Sequence, residues 1–227
     1  MKPHLARGFC PMPKRHGRKD SGFLTDVPRR APQRQISDPL GDDFFPTPAW
    51  ATRALLEVEE FTGTILEPAC GDGAMVTELR AAGHEVIARD LFDHGFGERG
   101  INFLECRESH PNVVTNPPYN RAETFVHKAL AVARRKVAFL LRLAFLEGEG
   151  RWKRVYRIHP PARVWVFSGR VTFSRPGVVL KNGSPTAMAW FVWDKSERVT
   201  SPEVRWIPAG ARRRLEGAQT AMLEGVA

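Results

Sequence analysis

Apolar residues are arranged in two ways along the chain, as short continuous runs and at helical spacing. Short apolar runs bounded by turn residues predict β-strands, and between most of them apolar residues recur at helical spacing. The predicted strands cover residues 64–66, 84–90, 101–104, 113–115 and 136–141. The predicted helices cover residues 48–60, 74–83 and 122–135. Strands that alternate with helices in this way predict a parallel sheet with helices on both faces.

The last two apolar runs break this alternation. Residues 163–167 and 187–193 predict strands, but the segment between them has no room for a long helix. Parallel neighbours need such a crossover, so these two strands are expected to pair antiparallel. The predicted fold is therefore α/β, a doubly wound, mostly parallel, seven-stranded Rossmann-like sheet with an antiparallel closing hairpin. We expect this domain over residues 41–210, with a basic tail at 211–227.

Composition is consistent with one catalytic domain and suggests a partner. The 227 residues are 42% hydrophobic, enough for one full core. Lys and Arg number 34 against 25 Asp and Glu, a formal charge of +9, which favours a polyanion such as nucleic acid. The three cysteines are widely spaced, so neither a disulfide framework nor a zinc site is expected, and a reducing cytoplasm fits. No apolar run approaches the length of a membrane span.

The first forty residues differ from the rest of the chain. Residues 1–40 hold nine Lys or Arg against three Asp, with scattered prolines and no hydrophobic periodicity. This composition predicts a disordered basic arm. Either a non-specific phosphate tether or a solvated tail without a role would account for it.

A glycine-rich turn joins the predicted strand at 64–66 to the next helix. Gly71 and Gly73 flank Asp72 where a ligand can come close to the backbone. A dinucleotide fingerprint would need a third glycine, but Val76 stands in its place, so NAD is disfavoured. Asp90 ends the next strand about twenty residues later, where a carboxylate can accept both hydroxyls of a ribose.

The tetrapeptide Asn-Pro-Pro-Tyr at 116–119 follows a predicted strand, where α/β enzymes place their chemistry. An amino group conjugated to an aromatic ring is a poor nucleophile because its lone pair is delocalised. Acceptors at its two N–H groups draw that lone pair back onto nitrogen, and Asn116 Oδ1 and the Pro117 carbonyl could supply them. The prolines hold the loop, and Tyr119 offers a flat face for a planar substrate.

Four motifs in order across residues 42–208 resemble the class I amino-methyltransferases that use S-adenosylmethionine (SAM). They are Phe-Pro-Thr-Pro at 45–48, the glycine-rich turn, Asp90 and the 116–119 tetrapeptide. The resemblance implies catalytic roles for Asn116, Pro117, Pro118 and Tyr119. It implies SAM contacts from Phe45, Thr47, Glu67, Ala69, Gly71, Asp72, Gly73, Asp90, Phe103 and Asn116. Asn102 departs from the family, which often has an acidic residue before the aromatic one, so a contact from Asn102 is not carried over.

Two loops are left for a macromolecular substrate, at residues 147–159 and 168–185. Both interleave basic with aromatic residues, a mixture that suits phosphate contact with base stacking, although solvated charge over a partly buried ring would look the same. The candidate substrate contacts are Tyr119, Arg151, Lys153, Arg154, Arg170 and Phe173.

Within the family, the chain looks most like the small DNA adenine-N6 methyltransferases of phages and prophages. Direct methyl transfer requires no metal. Loops this short predict a short or relaxed recognition sequence. RNA adenine methylation, protein glutamine methylation and a non-catalytic nucleic-acid-binding module on this scaffold remain alternatives, and the oligomeric state stays open.

Overall fold

The computed structural model describes residues 45–173 and 186–224, with side chains as far as residue 217. The strands in these ranges are β1 (Ile65–Glu67), β2 (Val86–Ala88), β3 (His110–Thr115), β4 (Ala133–Arg142), β5 (Arg163–Phe167), β6 (Met188–Asp194) and β7 (Glu203–Ile207). The helices are α1 (Ala49–Val58), α2 (Ala74–Ala81), α3 (Ala122–Val132), the short α4 (Glu149–Arg151), which continues as a π-helical turn (Trp152–Tyr156), and α5 (Ala211–Glu224).

The strands form one mixed sheet in the order β2-β1-β3-β4-β6-β5-β7. The first four are parallel, β6 runs antiparallel to both β4 and β5, and β7 is parallel to β5. This confirms the predicted Rossmann-like fold class and its antiparallel hairpin. It also places the carboxyl ends of β1, β2 and β3 side by side at one edge of the sheet.

The core lies on both faces of the sheet. Successive residues of a strand point to opposite faces, so Ile65 packs with α1, α2 and α5, whereas Leu66 packs with α3. In β4, residues 137–141 are all buried, as their apolar run predicted. Trp190 of β6 is buried as well, and its indole N–H donates to the Ala51 carbonyl of α1 at 2.9 Å.

The prediction of a strand at residues 101–104 was wrong. Phe103–Glu105 form a 3-10 turn, because Asn102 Oδ1 accepts the Leu104 N–H at 3.1 Å and caps the turn. The seventh strand is β7, which pairs along β5. Helix α3 also ends earlier than predicted, and residues 133–135 already belong to β4.

The C-terminal segment differs from the predicted tail because most of it is helical. Ala211 and Leu215 of α5 are buried in the core. Arg53 of α1 donates to the Leu215 carbonyl at 2.7 Å, and Arg214 forms an ion pair with Glu57. The predicted basic arm at residues 1–40 lies outside the described residues, as do 174–185 of the second substrate loop. Among the described helices, none has the length and apolar character needed to span a membrane.

Candidate active site

A cavity of about 290 Å³ opens at the carboxyl edge of β1, β2 and β3. This is where open α/β sheets bind ligands. Ten of the sequence-predicted site residues line it: Phe45, Thr47, Glu67, Ala69, Gly71, Asp72, Asp90, Phe103, Asn116 and Pro118. The fold thus brings together residues that are widely separated in sequence, whereas Gly73, Pro117 and Tyr119 lie outside the lining.

The glycine-rich turn has the backbone conformation that its sequence predicts. Gly71 and Gly73 have φ angles of 54° and 84°, in the left-handed region that favours glycine. A Cβ on Gly73 would also lie 2.6 Å from the Phe96 ring, so this glycine makes room for protein packing. Asp72 Oδ1 accepts the Ala74 N–H at 3.1 Å, an Asx turn that leads into α2.

Asp90 joins the end of β2 to the glycine-rich turn. Its buried carboxylate accepts the Gly71 N–H and the Phe92 N–H, each at 2.8 Å and each on a different oxygen. A carboxylate has about four lone-pair sites, so Asp90 can accept two further hydrogen bonds from a ligand. These two backbone contacts therefore fix its orientation and leave acceptor capacity for the predicted ribose.

Glu67 is a buried carboxyl at the end of β1 with one oxygen in use and one free. Oε1 accepts the Thr115 hydroxyl at 2.5 Å and the Ala69 N–H at 3.2 Å. Oε2 is buried and has no hydrogen-bond partner among the described residues. Burial, with a smaller effect of nearby Asp90, raises the pKa of Glu67 to about 8. A cationic ligand group beside Oε2 would favour the ionised form.

The Asn116 amide at the cavity has a bound nitrogen and an oxygen that lacks a partner among the described residues. Its Nδ2 donates to the Phe45 carbonyl at 3.2 Å and to the Thr47 hydroxyl at 3.1 Å. Since a carbonyl can only accept, this contact fixes which end of the amide is the nitrogen. Oδ1 is buried without a hydrogen-bond partner in the described part of the chain. The carbonyl oxygen of this fixed amide is thus the atom that could accept a hydrogen bond from a ligand.

The Thr47 hydroxyl binds this amide and does not cap α1. Thr47 followed by Pro48 predicts an N-cap at Thr47 and a first helical residue at Pro48. The helix begins one residue later, at Ala49, Pro48 occupies the N-cap position, and no side chain caps the helix. The Thr47 hydroxyl instead accepts from Asn116, which ties residues 45–47 to the loop after β3.

Tyr119 lies among aromatic and basic side chains next to the cavity. Its ring centroid is 6.3 Å from that of Phe45, with the rings inclined by 32°. The Arg142 guanidinium carbon lies 4.7 Å from the Tyr119 centroid. Phe173, a predicted substrate contact, is buried and packs edge-on against Phe45 at 6.0 Å. Phe45 is thus shared by the predicted cofactor and substrate sides.

The predicted basic contacts lie apart from the cavity and already bind other groups of the protein. Arg151 stacks on Phe145 at 4.3 Å and donates to that residue's carbonyl at 2.9 Å. Lys153 pairs with Glu149 at 2.5 Å, and Arg154 pairs with Glu123. Arg170 is exposed beside a separate groove near the start of α5. Their roles as substrate contacts remain predictions.

Sequence reasoning missed several residues that line the cavity. They follow the predicted ligands directly in the chain: Leu91, Phe92 and His94 after Asp90, and Asn120 and Arg121 after Tyr119. Their position next to a predicted ligand at a strand end was the available signal. His94 Nε2 lies 4.0 Å from Asp90 Oδ1.

One group of potential metal ligands lies at the opposite edge of the sheet. Cys106, Glu108 and His110 stand at the amino end of β3, with their ligand atoms within 4.8 Å of one another. Glu108 is already paired with Arg89 at 2.7 Å. This group takes no part in the cavity.

Comparison with known proteins supports the fold. No protein-family model matches the chain, and no curated protein matches it. Among solved structures it resembles a modification subunit of a predicted type I restriction enzyme from Vibrio vulnificus. The TM-score is 0.54 at 13% identity, over 74% of this chain and 48% of that one. The chain therefore spans about half the length of that subunit, and the likeness shows a shared fold.

Two further structures overlap less closely. A predicted O-methyltransferase from Agrobacterium tumefaciens gives a TM-score of 0.49 at 14% identity, over 70% of this chain and 86% of that one. The M protein of the type I restriction enzyme EcoKI gives 0.47 at 14% identity, over 67% and 44%.

Proposed function

We propose that the protein is a SAM-dependent methyltransferase that methylates the exocyclic N6 amino group of adenine in DNA. The observation that carries the proposal is the free, buried Oδ1 of Asn116, held at the wall of a cavity that Glu67 and Asp90 share. Leaving a buried acceptor unsatisfied costs about 1–3 kcal/mol, so its natural explanation is a ligand donor that is absent from the protein itself.

The residues of the cavity fit SAM as the cofactor. Glu67 Oε2 is a second buried acceptor without a partner and would meet the cationic amino group of the methionine moiety. Asp90 would accept the ribose hydroxyls, and Phe103, which lines the cavity, would pack on the adenine ring. SAM supplies a methyl group on a sulfonium, which an uncharged amine can attack directly.

The loop after β3 would activate the target amine. Asn116 Oδ1 and the Pro117 carbonyl would each accept one N–H of N6, which draws the lone pair out of the ring and onto nitrogen. In the transfer a bond forms between N6 and the methyl carbon as the carbon–sulfur bond breaks. The proton then leaves N6 for solvent. The contacts of Asn116 Nδ2 with Phe45 and Thr47 fix the acceptor before substrate arrives, and such preorganisation lowers the barrier.

DNA is favoured as the substrate by charge and by Tyr119. The formal charge of +9 suits a polyanion, and the Tyr119 ring next to the cavity could stack a base that has left the duplex. The similar Vibrio structure is a modification subunit of a type I restriction enzyme, which is consistent with this choice.

The proposal is tested by offering the purified full chain labelled SAM with unmethylated DNA, RNA and a protein extract in parallel. We expect label in DNA, and we expect calorimetry to show one SAM site per chain that is weakened in Asp90→Ala. Label confined to RNA or protein would replace the substrate class, and absence of SAM binding would refute the activity.

A further inference from the structure

Several arginines of the described residues are neutralised by carboxylates. Eight form ion pairs within the protein: Arg53, Arg89, Arg99, Arg154, Arg163, Arg205, Arg212 and Arg214. An arginine that is paired with a carboxylate attracts a nucleic-acid phosphate less strongly than an unpaired one. Two arginines beside the site have no acidic partner among the described residues: Arg121 in the cavity lining and Arg142 next to Tyr119.

Of these two, Arg142 is the one that contacts Tyr119. It is the last residue of β4, its side chain is exposed, and within the described part of the chain no carboxylate pairs with it. Its contact is the Tyr119 ring, whose centroid lies 4.7 Å from the guanidinium carbon. The N–H groups of a guanidinium point outward in its own plane. A guanidinium that lies over an aromatic face can therefore still donate them to other acceptors.

We propose that Arg142 binds a phosphate of the target nucleotide when the adenine enters the site. This inference rests on the proposed function, since it assumes that a base is delivered beside Tyr119. A nucleotide whose base stacks near the Tyr119 ring brings its own backbone phosphate close to the mouth of the cavity. The planar guanidinium matches a phosphate with two parallel hydrogen bonds.

The structure favours Arg142 over the predicted contacts Arg151, Lys153 and Arg154 for this role. Lys153 and Arg154 are paired with Glu149 and Glu123, and the Arg151 guanidinium donates to backbone carbonyls. Among the described residues, no carboxylate offsets the charge of Arg142, and its contact with Tyr119 already restricts the side chain. Less conformational freedom is then lost on binding.

The test measures methyl transfer to an adenine-containing DNA oligonucleotide by wild type and Arg142→Ala over a series of salt concentrations. A lost charge-assisted contact predicts a rise in KM of roughly tenfold or more. The slope of log KM against log salt should become shallower by about 0.7–0.9, the value of one phosphate contact. Arg142→Lys keeps the charge and should retain the wild-type slope.

Arg205→Ala is the matched control. Arg205 also lies over an aromatic ring, Trp165, at 5.2 Å, but it belongs to β7 and pairs with Glu203. Its loss removes the same net charge away from Tyr119, so its KM and salt slope should stay at wild-type values.

Two outcomes would overturn the inference. An unchanged salt slope in Arg142→Ala, with or without a fall in kcat, would mean that Arg142 only supports the Tyr119 ring. An equal change in Arg205→Ala would mean that only the overall charge matters. Failure of the proposed function is a separate result, because wild type would then transfer no methyl group to DNA at any salt concentration.

Discussion

Two buried oxygen atoms at the carboxyl edge of the sheet, Glu67 Oε2 and Asn116 Oδ1, lack a hydrogen-bond partner among the described residues. Their neighbouring atoms are well satisfied, since Glu67 Oε1 and Asn116 Nδ2 each make two hydrogen bonds. Each free atom is thus held in a fixed position. A buried acceptor in a native protein usually has a hydrogen-bond partner, so a donor from a bound ligand would suit each of them.

Glu67 gives the first prediction at this scale. Burial raises its pKa to about 8 from an ordinary value of 4.5, so the folded protein takes up a proton that the unfolded chain releases between those values. The resulting stabilisation is present below pH 4.5 and is lost as pH rises to about 8. Relative to Glu67→Gln, wild type should lose on the order of a few kcal/mol across this window.

Urea unfolding of both proteins at intervals between pH 5 and pH 9 measures this difference. A stability difference that stays constant over the window would show that the carboxyl is ionised throughout, contrary to its buried setting.

Asn116→Ala separates chemistry from cofactor binding. Removal of a preorganised polar group from such a site costs about 10²–10³ in kcat, and we expect a loss of that size. SAM affinity should fall less than about tenfold, because the variant loses only the hydrogen bonds to Phe45 and Thr47. Single-turnover kinetics and calorimetry give the two quantities. A kcat at the wild-type level would remove Asn116 from the chemistry.

At the scale of elements, a charge cluster around the buried Glu59 joins the amino end of β5 to α1, β4 and β6. Glu59, just after α1, accepts from Arg163, from Lys136 at 2.8 Å and from the Trp165 indole at 2.9 Å. Burial opposes ionisation of Glu59, yet these three donors hold its pKa below the ordinary value. Asp194 lies against Lys136 and Arg163 as well, at 3.3 and 3.4 Å.

Glu59→Ala should therefore be strongly destabilising. The variant leaves the buried Trp165 indole without an acceptor and leaves Lys136 and Arg163 with Asp194 as their shared partner, at a cost of about 3 kcal/mol. Glu57→Ala is the control, because its exposed pair with Arg214 should contribute less than about 1 kcal/mol. Chemical denaturation at pH 7 compares them, and equal losses would contradict the network.

The elements also show what the sequence could predict. A continuous apolar run such as 137–141 predicts its strand, because a strand buried on both faces needs apolar residues at every position. The sequence does not predict the elements that depend on contacts between residues far apart in the chain. Leu215 fixes α5 through Arg53 of α1, and β7 forms along β5 although residues 203–206 are exposed. Neither contact leaves a local pattern in the sequence.

The sequence predicts the cofactor side of the candidate site more completely than its substrate side. Asp90 and Asn116 follow strands, and parallel strands must end at one edge, so their convergence follows from the fold. The pairing of Arg154 with Glu123, 31 residues away, depends on side-chain geometry that periodicity does not contain. The same holds for the contact of Arg142 with Tyr119, 23 residues apart in the sequence.

At the scale of the whole molecule, affinity for DNA is expected to come mainly from charge. The formal charge of +9 includes the residues of the basic arm. We expect deletion of residues 1–40 to weaken DNA binding by a similar factor on every sequence and to make its salt dependence shallower. Binding of several unrelated oligonucleotides, measured by fluorescence anisotropy at two salt concentrations, checks this. A loss confined to one sequence would instead assign base recognition to the arm.

The central claim is that the amine presented to Asn116 is the N6 amino group of adenine. The most direct test digests DNA to nucleosides after reaction with isotope-labelled SAM and identifies the labelled nucleoside by mass spectrometry, with sequencing of the modified positions. The account predicts labelled N6-methyldeoxyadenosine, in a very short or relaxed sequence context, and its loss in Asn116→Ala. Label on cytosine, or none in DNA while SAM is bound, would contradict it.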